Sequence, residues 1–164
     1  MTSLMATAPS HAGAEIFDRI LAASSGLIVL TSNEAPALID QFQLIARHTG
    51  QAVYLWQPDA GLSSLRDAHV RVPDCQRLSN ALRYMQQSMH FGVYFLAGLR
   101  FPLSATDANL LRQLARAPTA HLRRVVLIDA PAAVGEQLGS VAVHLDGAVQ
   151  QAWRPRLRDG RWLA

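Results

Sequence analysis

Asp129 closes the apolar run Val125-Val126-Leu127-Ile128. An aspartate at the end of a buried strand is the arrangement that holds Mg²⁺, through water, beside a bound nucleotide. Its companion in that chemistry is a loop of the GxxxxGK[ST] type. The glycines of such a loop let backbone N–H groups close around phosphates, and its lysine meets the β- and γ-phosphates. After the first apolar run, Gly26-Leu27-Ile28-Val29-Leu30, the chain instead reads Thr31-Ser32-Asn33-Glu34-Ala35-Pro36. That loop has neither glycine nor lysine, and Glu34 brings negative charge to where a triphosphate would lie. All fifteen basic residues of the chain are arginine, a bias that fits genome base composition. Nucleotide hydrolysis is therefore not expected, and Asp129, followed by Ala130-Pro131, reads as the start of a turn.

Other chemistries find less support. Ligands of an open parallel sheet bind beyond the carboxyl ends of its strands. Those ends supply Thr31, Ser32, Asn33, Gln57, Asp59, Arg100 and Asp129, without a nucleophile–base pair or a phosphate cradle. Six histidines, at positions 11, 48, 69, 90, 121 and 144, form no H-x-H or H-x-x-x-H pair, so no metal site is expected. Cys75 is the single cysteine, which leaves no intramolecular disulfide. Its expected place at a helix start is one that lowers a thiol pKa, although no motif marks it as a nucleophile. No catalytic, cofactor-binding or metal-binding residue is assigned, and the chain is not expected to be an enzyme.

Two segments read as docking surface. The loop Gly98-Leu99-Arg100-Phe101-Pro102-Leu103 puts apolar side chains into a connection, with Leu99, Arg100 and Phe101 as the candidate contacts. Near the C-terminus, Trp153, Arg154, Arg156, Arg158, Arg161 and Trp162 mix aromatics with guanidinium groups. Such a mix suits a protein interface, single-stranded nucleic acid, or a solvated edge ribbon protected from aggregation by its arginines and Pro155.

Positioning these residues falls to a chain of one-domain size, with 164 residues. Half the residues are hydrophobic and 16% are charged, enough for a large core and a thinly charged surface. A net charge of +3 is weak evidence for nucleic acid. The opening residues lack the pattern of a signal peptide, and no apolar run reaches the roughly 18–20 residues of a membrane span. A cytoplasmic location is expected.

Residues 1–13 read as a flexible tail and 14–164 as one domain. A helix carrying Ile16, Phe17, Ile20 and Leu21 precedes strand Leu27 to Leu30. Further helices start at Glu34-Ala35-Pro36, Cys75 and the S-x-x-D capping box Ser104 to Asp107. Gly50 is a glycine cap. Strands are expected at Ala52 to Trp56, Gly92 to Ala97, Val125 to Ile128 and Val141 to Leu145, with Val70 to Val72 a short extra candidate. Pro58 to Gly61 should break the second strand. Asp159-Gly160 is a hairpin turn within a C-terminal ribbon, 148–164. The alternation predicts a three-layer α/β/α fold: a mainly parallel sheet of about five strands with a C-terminal antiparallel edge ribbon.

The order of elements resembles the RecA-like branch of P-loop folds. Strand three followed by Phe101-Pro102 and a helix, then Arg124-Val125-Val126-Leu127-Ile128, is similar to the degenerate N-terminal RecA-like domain of chloroplast-type AAA ATPases. The layout is also similar to the cell-division inhibitor SulA and to the N-terminal domain of the cellulose-synthesis regulator BcsE. These resemblances imply a domain that lacks its phosphate loop and acts by binding proteins, as a homodimer or on an active NTPase relative. No functional residue carries over, because no family motif is matched residue by residue. The expected function is a non-catalytic interaction or regulatory module without cofactor. A nucleic-acid module using the C-terminal ribbon and a small-ligand enzyme using the strand ends are the alternatives.

Overall fold

Apolar residues run almost unbroken through the central strands because both faces of the sheet are covered there. The computed structural model describes residues 7–32, 34–67, 69–116 and 123–147. In chain order these form α1 (Thr7–Ala22), β1 (Leu27–Thr31), α2 (Ala35–Thr49), β2 (Val53–Gln57), β3 (Gly61–Ser64) and β4 (Arg71–Val72). There follow α3 (Leu78–Gln87), β5 (Gly92–Ala97), α4 (Ala105–Ala115), β6 (Arg123–Ile128), α5 (Ala132–Leu138), a 3-10 turn (Gly139–Val141) and β7 (Val143–Asp146). The seven-stranded sheet has the order β4-β3-β2-β5-β6-β1-β7. From β2 to β7 all neighbours are parallel, whereas β3 and β4 add an antiparallel edge.

Alternate side chains of each strand enter different cores. Ile28, Leu30, Val53, Leu55, Val93, Phe95, Val126 and Ile128 pack beneath α1 and α2. Leu27, Val29, Trp56, Tyr94, Leu96, Val125 and Leu127 pack beneath α3, α4 and α5. The crossover from β1 through α2 moves along the sheet one way, and those through α3, α4 and α5 move the other way on the opposite face. Reversing direction and face together keeps a single handedness. This is the three-layer arrangement expected of a RecA-like domain.

Several expectations are corrected. The five expected parallel strands are present, and among the described residues β3 and β4 bring the sheet to seven. Its antiparallel strands lie beside β2, because Pro58 to Gly61 forms a hairpin turn rather than ending the sheet. Gly61 has φ 76°, and a Cβ there would lie 3.3 Å from the Cys75 carbonyl oxygen. With the sequence Gly-Leu-Ser-Ser, β3 offers almost no apolar signal; pairing with β2 makes it a strand. The C-terminal ribbon 148–164 lies outside the described residues. Helix α1 begins at Thr7, inside the expected tail, since proline is tolerated in a first turn. Gly13 is there for close packing: a Cβ would lie 2.8 Å from that of Gln41 on α2.

Cys75 is also displaced from its expected place. It precedes α3 by a few residues and is buried, and its carbonyl accepts from Trp56 Nε1 at 2.9 Å. Burial, then the neighbouring Asp74 carboxylate, raises its thiol pKa instead of lowering it. Iodoacetamide at neutral pH should therefore alkylate Cys75 only after unfolding, read by intact mass.

The helix ends are closed by specific groups. Ser104 Oγ accepts from the Asp107 N–H at 3.0 Å, and Gly50, at φ 74°, donates to the Ala46 carbonyl at 2.9 Å. Less expected is the pair that opens β6. Consecutive strand residues point to opposite faces, and each arginine closes the helix end on its own side. Arg123 Nη1 donates to the carbonyls of Met85 (2.7 Å) and Ser88 (3.2 Å), at the end of α3. Arg124 donates from Nε to Ile20 (3.2 Å) and from Nη2 to Leu21 (3.1 Å) and Ala23 (3.3 Å), at the end of α1.

Tyr94 is buried and stacks on Tyr54 with centroids 5.0 Å apart, and burial raises its pKa. The folded chain holds that proton to higher pH than the unfolded chain does. Its contribution to stability is thus intact below about pH 10 and lost as pH rises further. Denaturant midpoints between about pH 8 and 11 should fall at the alkaline end, and less so in Tyr94→Phe.

Candidate functional site

Neighbouring β1 and β6 send their connections to opposite faces, through α2 and α5. Their carboxyl ends therefore flank the topological switch point, where open α/β sheets bind ligands. Here that crevice is clamped. The Ser32 N–H donates to Asp129 Oδ1 at 2.6 Å and Ser32 Oγ to Asp129 Oδ2 at 3.0 Å. Asp129 itself adopts φ 52°, in the left-handed region that side chains seldom enter, while its N–H donates to Leu30. Both carboxylate oxygens thus bridge two loops that a phosphate would otherwise part.

The β1–α2 loop continues this pattern. Glu34 occupies the position before α2 without a side-chain cap, and Pro36 removes one N–H from the first turn. Beyond the clamp, beneath α5, lies a cavity of about 550 Å³ lined in part by Val29, Thr31, Pro131, Gly135, Glu136 and His144. Among the described residues no group of three or more His, Cys, Asp or Glu side chains is placed to hold a metal ion.

The loop after β5 is braced at both ends. Gly98, at φ 79°, turns against Pro58, where a Cβ would meet the ring at 2.8 Å. At its far end the Gln137 side chain pairs with the Leu103 backbone as a strand would. The Leu103 N–H donates to Oε1 at 3.0 Å, and Nε2 donates to the Leu103 carbonyl at 2.9 Å. Arg112 holds Gln137 in turn through its carbonyl at 2.7 Å. Between the braces Phe101 is 53% exposed beside a groove of about 410 Å³ shared with Pro102, Ala133, Glu136 and Gln137.

The predicted docking residues therefore divide. Arg100 and Phe101 are on the surface. Leu99 is not, because it turns into the core with 8% exposure and forms the loop's anchor. Trp153, Arg154, Arg156, Arg158, Arg161 and Trp162 lie outside the described residues, as does Asn33. Of the strand-end group, Ser32 and Asp129 are joined, while Gln57, Asp59 and Arg100 are exposed with no side-chain partner among the described residues. Gln137 had no sequence signal, and Arg124 stood out only as the first residue of the run that carries the family resemblance, with nothing to mark its role at the end of α1.

A family model for the N-terminal domain of SpoVK-like AAA ATPases matches residues 14–146. The chain belongs to this family. Its matched span runs from α1 to the last residue of β7 and so takes in the clamp, the braced loop and both cavities. No curated protein matches the chain. Among the described residues of this SpoVK-like N-terminal domain, no helix is long and apolar enough to cross a membrane.

Proposed function

We propose that this SpoVK-like N-terminal domain is a non-catalytic docking module. It engages a protein partner, an AAA-type NTPase, through the face at the carboxyl ends of its strands and does not hydrolyse nucleotide. The observation that carries this reading is the Asp129–Ser32 clamp. Each Asp129 oxygen accepts one hydrogen bond from Ser32, and together they draw the two loops shut across the crevice where a phosphate would enter. The residue types of Thr31 to Pro36 support the same reading, as does a family whose domain precedes an ATPase. Exposed Phe101 on a loop braced at both ends offers an aromatic anchor that loses little entropy on binding.

Titration of the full chain with ATP or GTP and Mg²⁺ should give no binding heat and no turnover. Asp129→Ala should lower stability by about 1–2 kcal/mol through the lost clamp, read from denaturant unfolding. Micromolar nucleotide affinity that disappears in Asp129→Ala would overturn the reading. Against the purified ATPase module of a SpoVK-like protein, Phe101→Ser should weaken binding at least about tenfold. A module that never binds the wild-type chain counts equally against it.

A further inference from the structure

Outside the C-terminal segment the chain is electrically balanced but sorted by end. Residues 1–147 carry eleven arginines and eleven carboxylates, so the whole net charge of +3 belongs to 148–164. Within the described fold, exposed Glu34, Asp59, Asp74 and Glu136 stand at the carboxyl end of the parallel strands, where they outnumber the exposed Arg77 and Arg100. Exposed Arg19, Arg47 and Arg116, with His48 and His90, stand at the amino end. None of these carboxylates and guanidinium groups has a hydrogen-bond or ionic partner in the described fold. Helix dipoles explain the direction of the sorting, because the larger helices start at the carboxyl end of the sheet and finish at the amino end. They also leave the two sets separated by the length of a strand, roughly 20 Å. That exceeds the screening length of about 8 Å at physiological salt, so the two ends cannot neutralise each other within one molecule.

An apolar complement lies along the same axis. The loop after β5 carries exposed Phe101. Just before β5, at the opposite end of the sheet, Phe91 lines a cavity of about 330 Å³ with Leu21, Gln51 and Arg124. Knob and hole therefore occupy opposite ends of one strand. Arg124 Nη1 makes only one long hydrogen bond, 3.3 Å to the Arg123 carbonyl, so the guanidinium retains donor capacity beside the cavity. A phenyl ring entering there meets an aromatic wall and a cation. An apolar knob that fits a pocket elsewhere on the same molecule makes a heterologous contact, which repeats from copy to copy.

We propose that the carboxyl-end face docks the amino-end face of a second copy of this chain, head to tail, with Phe101 seated in the Leu21–Phe91–Arg124 cavity and the unpaired carboxylates facing Arg19, Arg47 and Arg116. This rests on the reading of that face as a docking surface; its occupant here is a second copy, which while bound excludes the ATPase module from Phe101.

Sedimentation velocity of the full chain tests the arrangement. At about 50 mM salt the wild type should form species larger than a monomer that grow with concentration, and about 500 mM salt should weaken them at least tenfold. Phe101→Ser should weaken them by a similar factor. Phe101→Ser damages one end and Arg47→Glu the other, so each variant alone should stay close to monomeric. An equimolar mixture retains one intact pair of ends and should stop at dimers. A wild type that is monomeric at every concentration and salt overturns the proposal. So does association that ignores Phe101, or a mixture that behaves as its separate components. The docking reading would survive that failure if the ATPase module still bound the wild type and lost affinity with Phe101→Ser. Persistent self-association with no binding to the module would instead defeat the ATPase-partner reading and keep this one.

Discussion

Arg124→Met should lower the unfolding free energy by about 3 kcal/mol, a fall in Tm of roughly 6–12 °C for a domain of this size. Methionine has a similar reach and keeps most of the packing, so the loss falls on polar groups. Without the guanidinium, the carbonyls of Ile20, Leu21 and Ala23 at the end of α1 lose their donor. The last carbonyls of a helix have no partner inside the helix, and leaving them buried and unpaired carries a desolvation cost. Arg124 is itself 7% exposed, and burial lowers its pKa. Arg124→Lys keeps a charge but replaces a planar fork by one ammonium, which cannot span three carbonyls, so it should recover only part of the loss. Arg123→Met, at a half-buried position with two acceptors, should cost less, about 1 kcal/mol. Urea unfolding followed by circular dichroism would rank the three. Equal effects of Arg123→Met and Arg124→Met would contradict this account of α1.

Phe42→Ala should cost about 4 kcal/mol, the largest single loss expected in the fold. Phe42 has no exposure and joins three elements. Its ring stacks on Phe95 of β5 at 4.5 Å and 11°, and lies 6.0 Å from Phe17 of α1 at a tilt of 50°. Truncation leaves a void between α1, α2 and the sheet that a rigid strand cannot collapse to fill. Phe42→Leu keeps much of the volume and should lose only about 1–2 kcal/mol. Both values come from denaturant midpoints with an unchanged slope. A loss below about 1 kcal/mol for Phe42→Ala would mean that this layer repacks freely.

Much of the scaffold is written locally. The apolar runs at Leu27, Val53, Gly92 and Val125 are strands in the fold, and the caps at Ser104 and Gly50 close their helices as predicted. Each signal sits within a few neighbouring residues, where periodicity and side-chain capping act before any tertiary contact forms. The short strand β3 has no such local signal, because its residues lack that periodicity and acquire a partner only from β2.

The candidate site follows the same division. Residue types alone leave Thr31 to Pro36 without a glycine or lysine for a phosphate, and they put apolar side chains into the connection from Gly98 to Leu103. Tertiary structure alone decided that Asp129 closes on Ser32, 97 positions away. It alone turned Leu99 inward and Phe101 outward, and placed Arg124 under a helix 104 positions earlier. The physical reason is strand order. Residue type and spacing set what each segment can form, but which loops and helix ends meet depends on β1 lying beside β6. That adjacency arises from packing two faces of one sheet, and no local stretch of the chain encodes it.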